Sequence, residues 1–198
     1  PISNEFSQSY YSDCNWTIRL DGNKLSIWNM SSTMQLPDFE QKFEEQILNE
    51  KHGGHPDIVE AVTIRKQALN RRAWSGNGKQ IWLISDRYHN GDDNGEAFFQ
   101  YLSGRNDLKA EVYFVIAKDS VDYERLSAMG KVVEQDSREH MLLHLIADCI
   151  ISSQADEYII DPVWRKKHVN NIYKDLYCRK KYVFLQQGVN KDDLSQWL

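Results

Sequence analysis

No apolar run in this sequence approaches the roughly 18 residues that a membrane-spanning helix needs, and no charged-then-apolar leader opens it. Cysteine is scarce. Cys14, Cys149 and Cys178 make an odd count without C-x-x-C spacing, so neither a disulfide framework nor a zinc knuckle is suggested. Positive charge is in deficit: the formal net charge is -5, whereas a dedicated nucleic-acid binder carries a basic face. Two glycine motifs are missing as well. Without G-x-G-x-x-G in a strand-helix turn the usual NAD or FAD site is disfavoured, and without G-x-x-x-x-G-K-[ST] the chain is not a P-loop enzyme. No G-x-S-x-G elbow supports a nucleophilic serine, and there is no internal repeat. These absences leave a cytoplasmic protein in a reducing setting, able at most to lie against a membrane.

What is present is a core. Hydrophobic residues make up 41% and aromatics 12% of 198 residues, which suits one ordinary domain with an appendage. Residues 1–14 are Ser-, Asn- and Tyr-rich without a period and read as a linker. In "NWTIRLDGNKLSIW" the alternation of Trp16, Ile18 and Leu20, a "DGN" turn, then Leu25 and Ile27 predict a β-hairpin. Pro37 opens a helix with Phe39, Phe43 and Ile47 on one face, and "KHGGHP" breaks it. A second helix from Asp57 to about Trp74 buries Ile58, Val62 and Leu69. Residues 15–78 thus form a hairpin and helical appendage.

From Lys79 the texture changes. "QIWLIS", "AEVYFVIA", "KVVE", "CIISS" and "YVFLQQG" are short apolar runs separated by helical segments. Such runs, apolar without alternation, belong to parallel strands covered on both faces, so residues 79–198 are predicted to form an α/β, Rossmann-like parallel sheet. In open sheets of this kind ligands bind beyond the carboxyl ends of the strands. That rule selects the loops 85–96, 152–164 and 186–193.

The first loop is the richest. Asp86, Arg87 and His89 leave the strand; Asp92, Asp93 and Asn94 precede Gly95 at a helix start. Asp93 or Asn94 can simply cap the helix, and an open helix N-terminus with Arg87 beside it can also hold a phosphate. His140 and His144 lie four apart on one helix, but no third ligand accompanies them and no metal is assigned. His52 and His55 flank a Gly-Gly turn and read as solvated, and His168 reads as part of a basic patch. The run 161–182 interleaves Lys and Arg with Trp164, Tyr173 and Tyr177. Most such runs are a solvated face; some seat a protein on anionic headgroups.

Three stretches carry a resemblance. "IWLISDRYHNGDDNGEAFFQYL", "KVVEQDSREHMLLHLIADCIISSQADEY" and "YVFLQQGVNKDDLSQW" resemble, in order, motifs of the CDP-glycerol glycerophosphotransferases of teichoic acid and capsular polymer synthesis. The likeness covers about residues 79–198. It implies the acceptor-side, N-terminal half of a GT-B-type enzyme. Such an enzyme moves glycerol phosphate or another polyol phosphate from a CDP-linked donor to a lipid-linked or growing polymer. No cofactor is implied; the donor would bind a missing C-terminal half of the same chain, and contact with the inner face of the membrane would be peripheral. Pro1 in place of Met, and an end directly after "DDLSQWL", agree with a piece of something longer.

In the family the residue before Gly188 is His, thought to take the proton from the acceptor hydroxyl. Here Gln187 stands there. A carboxamide cannot serve as a base near neutral pH, although it can hydrogen-bond a substrate. An engineered inactivation, a natural branch with another base and a degenerate domain kept for binding all remain open. Asp92, Asp93 and Asp192 are the nearest carboxylates by motif. Asp93-Asn94 matches the family's "DN" in a structural or acceptor-positioning role, and Asp192 and Asp193 suit a helix cap. The rivals to a glycerophosphotransferase half are a non-catalytic binding module and a sugar-nucleotide glycosyltransferase half of the same architecture.

Overall fold

The structure, a computed structural model, describes residues 10–13, 16–21, 24–29, 36–74, 78–177 and 180–185. Two compact units emerge. One combines Pro1–Trp74 with Val163–Arg179, the other Ser75–Pro162 with Lys180–Leu198.

The first unit contains the expected hairpin, with β2 (Trp16–Asp21) antiparallel to β3 (Lys24–Asn29) and Ile18 opposite Ile27. A further strand, β1 (Tyr10–Asp13), pairs with β2 inside the stretch expected to be linker. Its pairing comes from an edge that β2 offers, which no local period records. Helices α1 (Leu36–Asn49) and α2 (Pro56–Trp74) bury Phe43, Ile47, Ile58 and Val62 as their four-residue spacing predicts.

The 161–182 run departs from the solvated face expected of it. A 3-10 helix (Lys167–Ile172) and α7 (Lys174–Tyr177) return to α2, burying Val169, Ile172, Tyr173 and Leu176. Tyr173 donates its hydroxyl to the Ala61 carbonyl at 3.0 Å. The pivot is Arg65. Fully buried, it donates to both oxygens of Asp175, at 2.7 and 2.9 Å, and to the Ile172 carbonyl at 2.6 Å, and pairs with Glu40. Burial alone would lower its pKa; the fields of Asp175 and Glu40 override that and hold it well above the ordinary value. The expected appendage over 15–78 therefore takes its packing partner from chain that was expected to belong to the sheet domain.

The second unit is a five-stranded, all-parallel sheet in the order β6-β5-β4-β7-β8. The strands are β4 (Gln80–Ser85), β5 (Ala110–Ile116), β6 (Lys131–Glu134), β7 (Cys149–Ser152) and β8 (Lys181–Phe184). Between them run α3 (Asn94–Ser103), α4 (Tyr123–Ser127), α5 (Arg138–Ile146) and α6 (Glu157–Ile160). Successive strand residues feed opposite cores, which is why the runs are apolar without alternation. Ile84, Phe114 and Ile151 join Phe99 and Leu126 on one face; Leu83, Val115 and Ile150 join Leu143 and Ile159 on the other. The fold is Rossmann-like α/β. Chain order reverses between β4 and β7, so their carboxyl ends bound the crevice at the sheet's switch point.

Candidate functional site

Asp86 leaves β4 and Ser153 leaves β7 at that switch point. Both are buried, and the Ser153 hydroxyl donates to Asp86 Oδ1 at 2.7 Å. The same oxygen accepts the Gly95 amide at 2.8 Å, and Oδ2 accepts the Glu96 amide at 2.9 Å. Burial pushes the Asp86 carboxyl above its usual 3.8, while these three donors pull against that rise. Asp93 caps α3 through the Asn94 amide at 2.7 Å, and its carbonyl takes the Ala97 amide at 3.1 Å. The first-turn amides of α3 are thus occupied from within. The phosphate expected on an open helix end beside Gly95 has no free amide there, because Asp86 already supplies an anion. Gly95 is required for this contact: a Cβ would overlap Asp86 Oδ1 and lie 2.7 Å from the Ser85 carbonyl.

The loop between Asp86 and α3 is held open by a second network. Asp92 adopts a positive φ of 65° and donates its amide to Glu96 Oε2 at 2.7 Å; Gly91 donates to Asp122 Oδ2 at 3.1 Å. Arg125 ties the two acids together, paired with both Glu96 oxygens and, at 2.7 Å, with Asp122 Oδ1. Its guanidinium holds the Glu96 and Asp122 carboxyls below their usual values. Arg87, Asn90, Gly91, Asp92, Asp122 and Arg125 line a polar cleft of about 520 Å³. Arg87 is exposed and makes no ion pair among the described residues. Across the strand ends Tyr158, its hydroxyl pushed up to about 12 chiefly by burial, stacks edge-on with Tyr88 at 5.5 Å. Chemically, this cleft offers the Arg87 guanidinium to an oxyanion, Arg125 being committed to Glu96 and Asp122, with carboxylates at its rim to accept hydrogen bonds from hydroxyls.

Among the residues singled out from sequence, Arg87 and Asp92 line the cleft, and Asp93, Asn94 and Gly95 form the adjoining helix start. Gln187, Gly188 and Asp192 lie outside the described residues. Sequence reasoning named Asp86 without a role and missed Ser153, Glu96, Asp122 and Arg125. An Asp and a Ser each directly after a buried parallel strand were the available signal. His140 and His144 have structural employment instead of a shared metal. His140 Nδ1 accepts the Asp136 amide at 3.2 Å, and His144 donates Nε2–H to the Ile159 carbonyl at 3.1 Å. Both are buried, which pushes His140 down to about 4 and His144 well below its usual range.

The profile described as CDP-Glycerol:Poly(glycerophosphate) glycerophosphotransferase matches residues 67–191. The chain belongs to that family. It is also 37% identical over 122 residues to the minor teichoic acid biosynthesis protein GgaB of Bacillus subtilis (strain 168). That alignment takes in 62% of this chain but 13% of GgaB, so the chain spans a small part of that relative. No solved structure matches it. All the cleft residues, together with Asp86 and Ser153, fall inside the glycerophosphotransferase match. No helix among the described residues is long and apolar enough to cross a membrane.

Proposed function

We propose that the chain supplies the acceptor-side, Rossmann-like half of a GT-B-type transferase. The reaction is transfer of glycerol phosphate or another polyol phosphate from a CDP-linked donor to a hydroxyl of a lipid-linked or growing cell-wall or capsule polymer. The observation that carries this reading is the cleft at the carboxyl end of β4, where Arg87 and Arg125 flank a loop inside the family match. An acceptor ending in a polyol phosphate presents an oxyanion for the Arg87 guanidinium and hydroxyls for Asp92 and Asn90. In the transfer, the acceptor oxygen forms a bond to the donor's polyol-bearing phosphorus as the bond to CMP breaks. CMP leaves with the electron pair, and the acceptor proton passes to a base. Positioning and neutralisation of phosphate charge are the main demands.

The donor half would be a further Rossmann-like domain of the parent protein, and contact with the inner membrane face would be peripheral. The test is CMP release from CDP-glycerol by the full-length parent protein with a lipid-linked acceptor, set beside the 198-residue chain alone. Release by the parent and none by the chain is expected; release by the chain alone would remove the need for a second half. UDP-linked donors in the same assay separate a glycosyltransferase.

One observation favours a second reading. Gln187 occupies the position of the family's base, and a binding module needs no base. Gln187→His in the full-length protein separates the two. A large gain in transfer identifies a lost base, whereas acceptor binding with no transfer by either form identifies a binding module.

A further inference from the structure

At the start of α2, His55 and Asp57 meet His168, which lies 111 positions beyond Asp57. His168 Nε2 stands 3.1 Å from Asp57 Oδ2 and His55 Nδ1 stands 3.9 Å from the same oxygen. One ligand atom from each of the three falls within 4.8 Å of the others. Pro56 opens α2 with a φ already set for the helix, and the two flanking residues His55 and Asp57 are the ones that meet His168. Lys166 takes the other carboxylate oxygen, Oδ1, at 2.8 Å, which leaves Oδ2 directed at the histidines.

We propose that His55, Asp57 and His168 form a site for a divalent transition metal of the Zn²⁺ class, clipping the 3-10 helix to the head of α2. Donors around such an ion sit about 2.0–2.2 Å from it and hence roughly 3.3–3.6 Å from one another. The distances of 3.1 and 3.9 Å bracket that range, and His55, with a 56% exposed side chain, can close the remainder by a small rotation. Binding at Nδ1 replaces only a 3.3 Å bond from the Asp57 amide. Two imidazoles and one carboxylate select a borderline ion over Mg²⁺ or Ca²⁺, which want oxygen shells. Three protein ligands leave the remaining position to water. Lys166 opposes the ion's charge and Glu60, 3.9 Å from Lys166, offsets it.

The chain, stripped with EDTA and titrated calorimetrically with ZnCl₂ at about pH 7.5, is expected to bind one equivalent. His55→Ala and His168→Ala each weaken binding at least about tenfold, whereas His52→Ala leaves it unchanged. Affinity falls as the solution is made more acidic, because protons compete with the ion for the same ligand atoms. Circular dichroism checks each variant, and exposed His55 carries the test if His168→Ala unfolds. No binding overturns the proposal, as does binding that survives the histidine changes or is lost in Cys14→Ser or Cys178→Ser.

Discussion

Ser153 Oγ lies 2.7 Å from Asp86 Oδ1, so a hydroxyl at the end of one strand is bonded to a carboxylate at the end of its neighbour, with no water-exposed atom of either side chain needed. This bond fixes the carboxylate that accepts the Gly95 and Glu96 amides of α3. The start of α3 is therefore held by a buried polar contact, where a missing partner costs more than the bond itself contributes.

Gly95→Ala forces a methyl against Asp86 Oδ1 and the Ser85 carbonyl. A loss of about 1–3 kcal/mol in stability is expected, read from the urea midpoint. Asp86→Ala strands the Gly95 and Glu96 amides and costs about 2 kcal/mol. Equal stability in both variants would show that the cap does not hold the loop.

Arg65 and Asp175 form a bidentate pair buried in the first unit, with Phe43 under the guanidinium at 4.6 Å. Asp175→Asn leaves a buried cation short of its partner, and a loss of about 3–5 kcal/mol is expected. Replacing Arg65, Asp175 and Glu40 together by apolar residues should recover much of that loss, since no buried charge is then left without its partner. Thermal or urea unfolding of the three chains measures both effects.

Stability should fall as pH drops from 7 to 5. His140, pushed down to about 4 by burial with Asp136 acting against it, stays neutral in the fold, while an unfolded His titrates near its usual 6.5. Between those values the unfolded chain binds more protons, so its share grows as pH falls. From His140 alone the loss is about 2 kcal/mol over those two pH units. His144, also lowered by burial with Lys180 adding to it, steepens the slope. His140→Gln flattens the pH profile of the urea midpoint.

Arg87→Ala tests the cleft without disturbing the fold, since its guanidinium makes no ion pair among the described residues. Unfolding should be unchanged. In the full-length parent protein, kcat/KM for the polymer acceptor should drop about 10–100-fold, the worth of one charge-assisted hydrogen bond. Arg125→Gln, by contrast, should lower both activity and stability, because Arg125 also holds Glu96 and Asp122.

Strands β4 through β8 were legible because each is a short apolar run whose neighbours supply both cores, and α1 and α2 because Phe43, Ile47, Ile58 and Val62 repeat at helical spacing. Two of the six residues that line the cleft, Arg87 and Asp92, lie in a loop that the strand-end rule selects. Arg125 and Asp122 were missed, because an Arg three residues after an Asp on a short helix looks like any exposed pair. The run 161–182 misled for a related reason: its charges suggested solvent, yet Asp175 and Tyr173 are spent on α2.

By itself the sequence determined the α/β class, the hairpin, most element positions and the family, since these rest on periodicity and on motifs read within a few residues. Tertiary structure alone decided the partnerships of Asp86 with Ser153, Arg65 with Asp175 and Asp57 with His168, separated by 67, 110 and 111 positions. A charge or hydroxyl shows no preference for a partner at such distance along an extended chain. Burial, by withdrawing water, makes the first two pairings obligatory, while the exposed third follows from the packing of the 3-10 helix on α2.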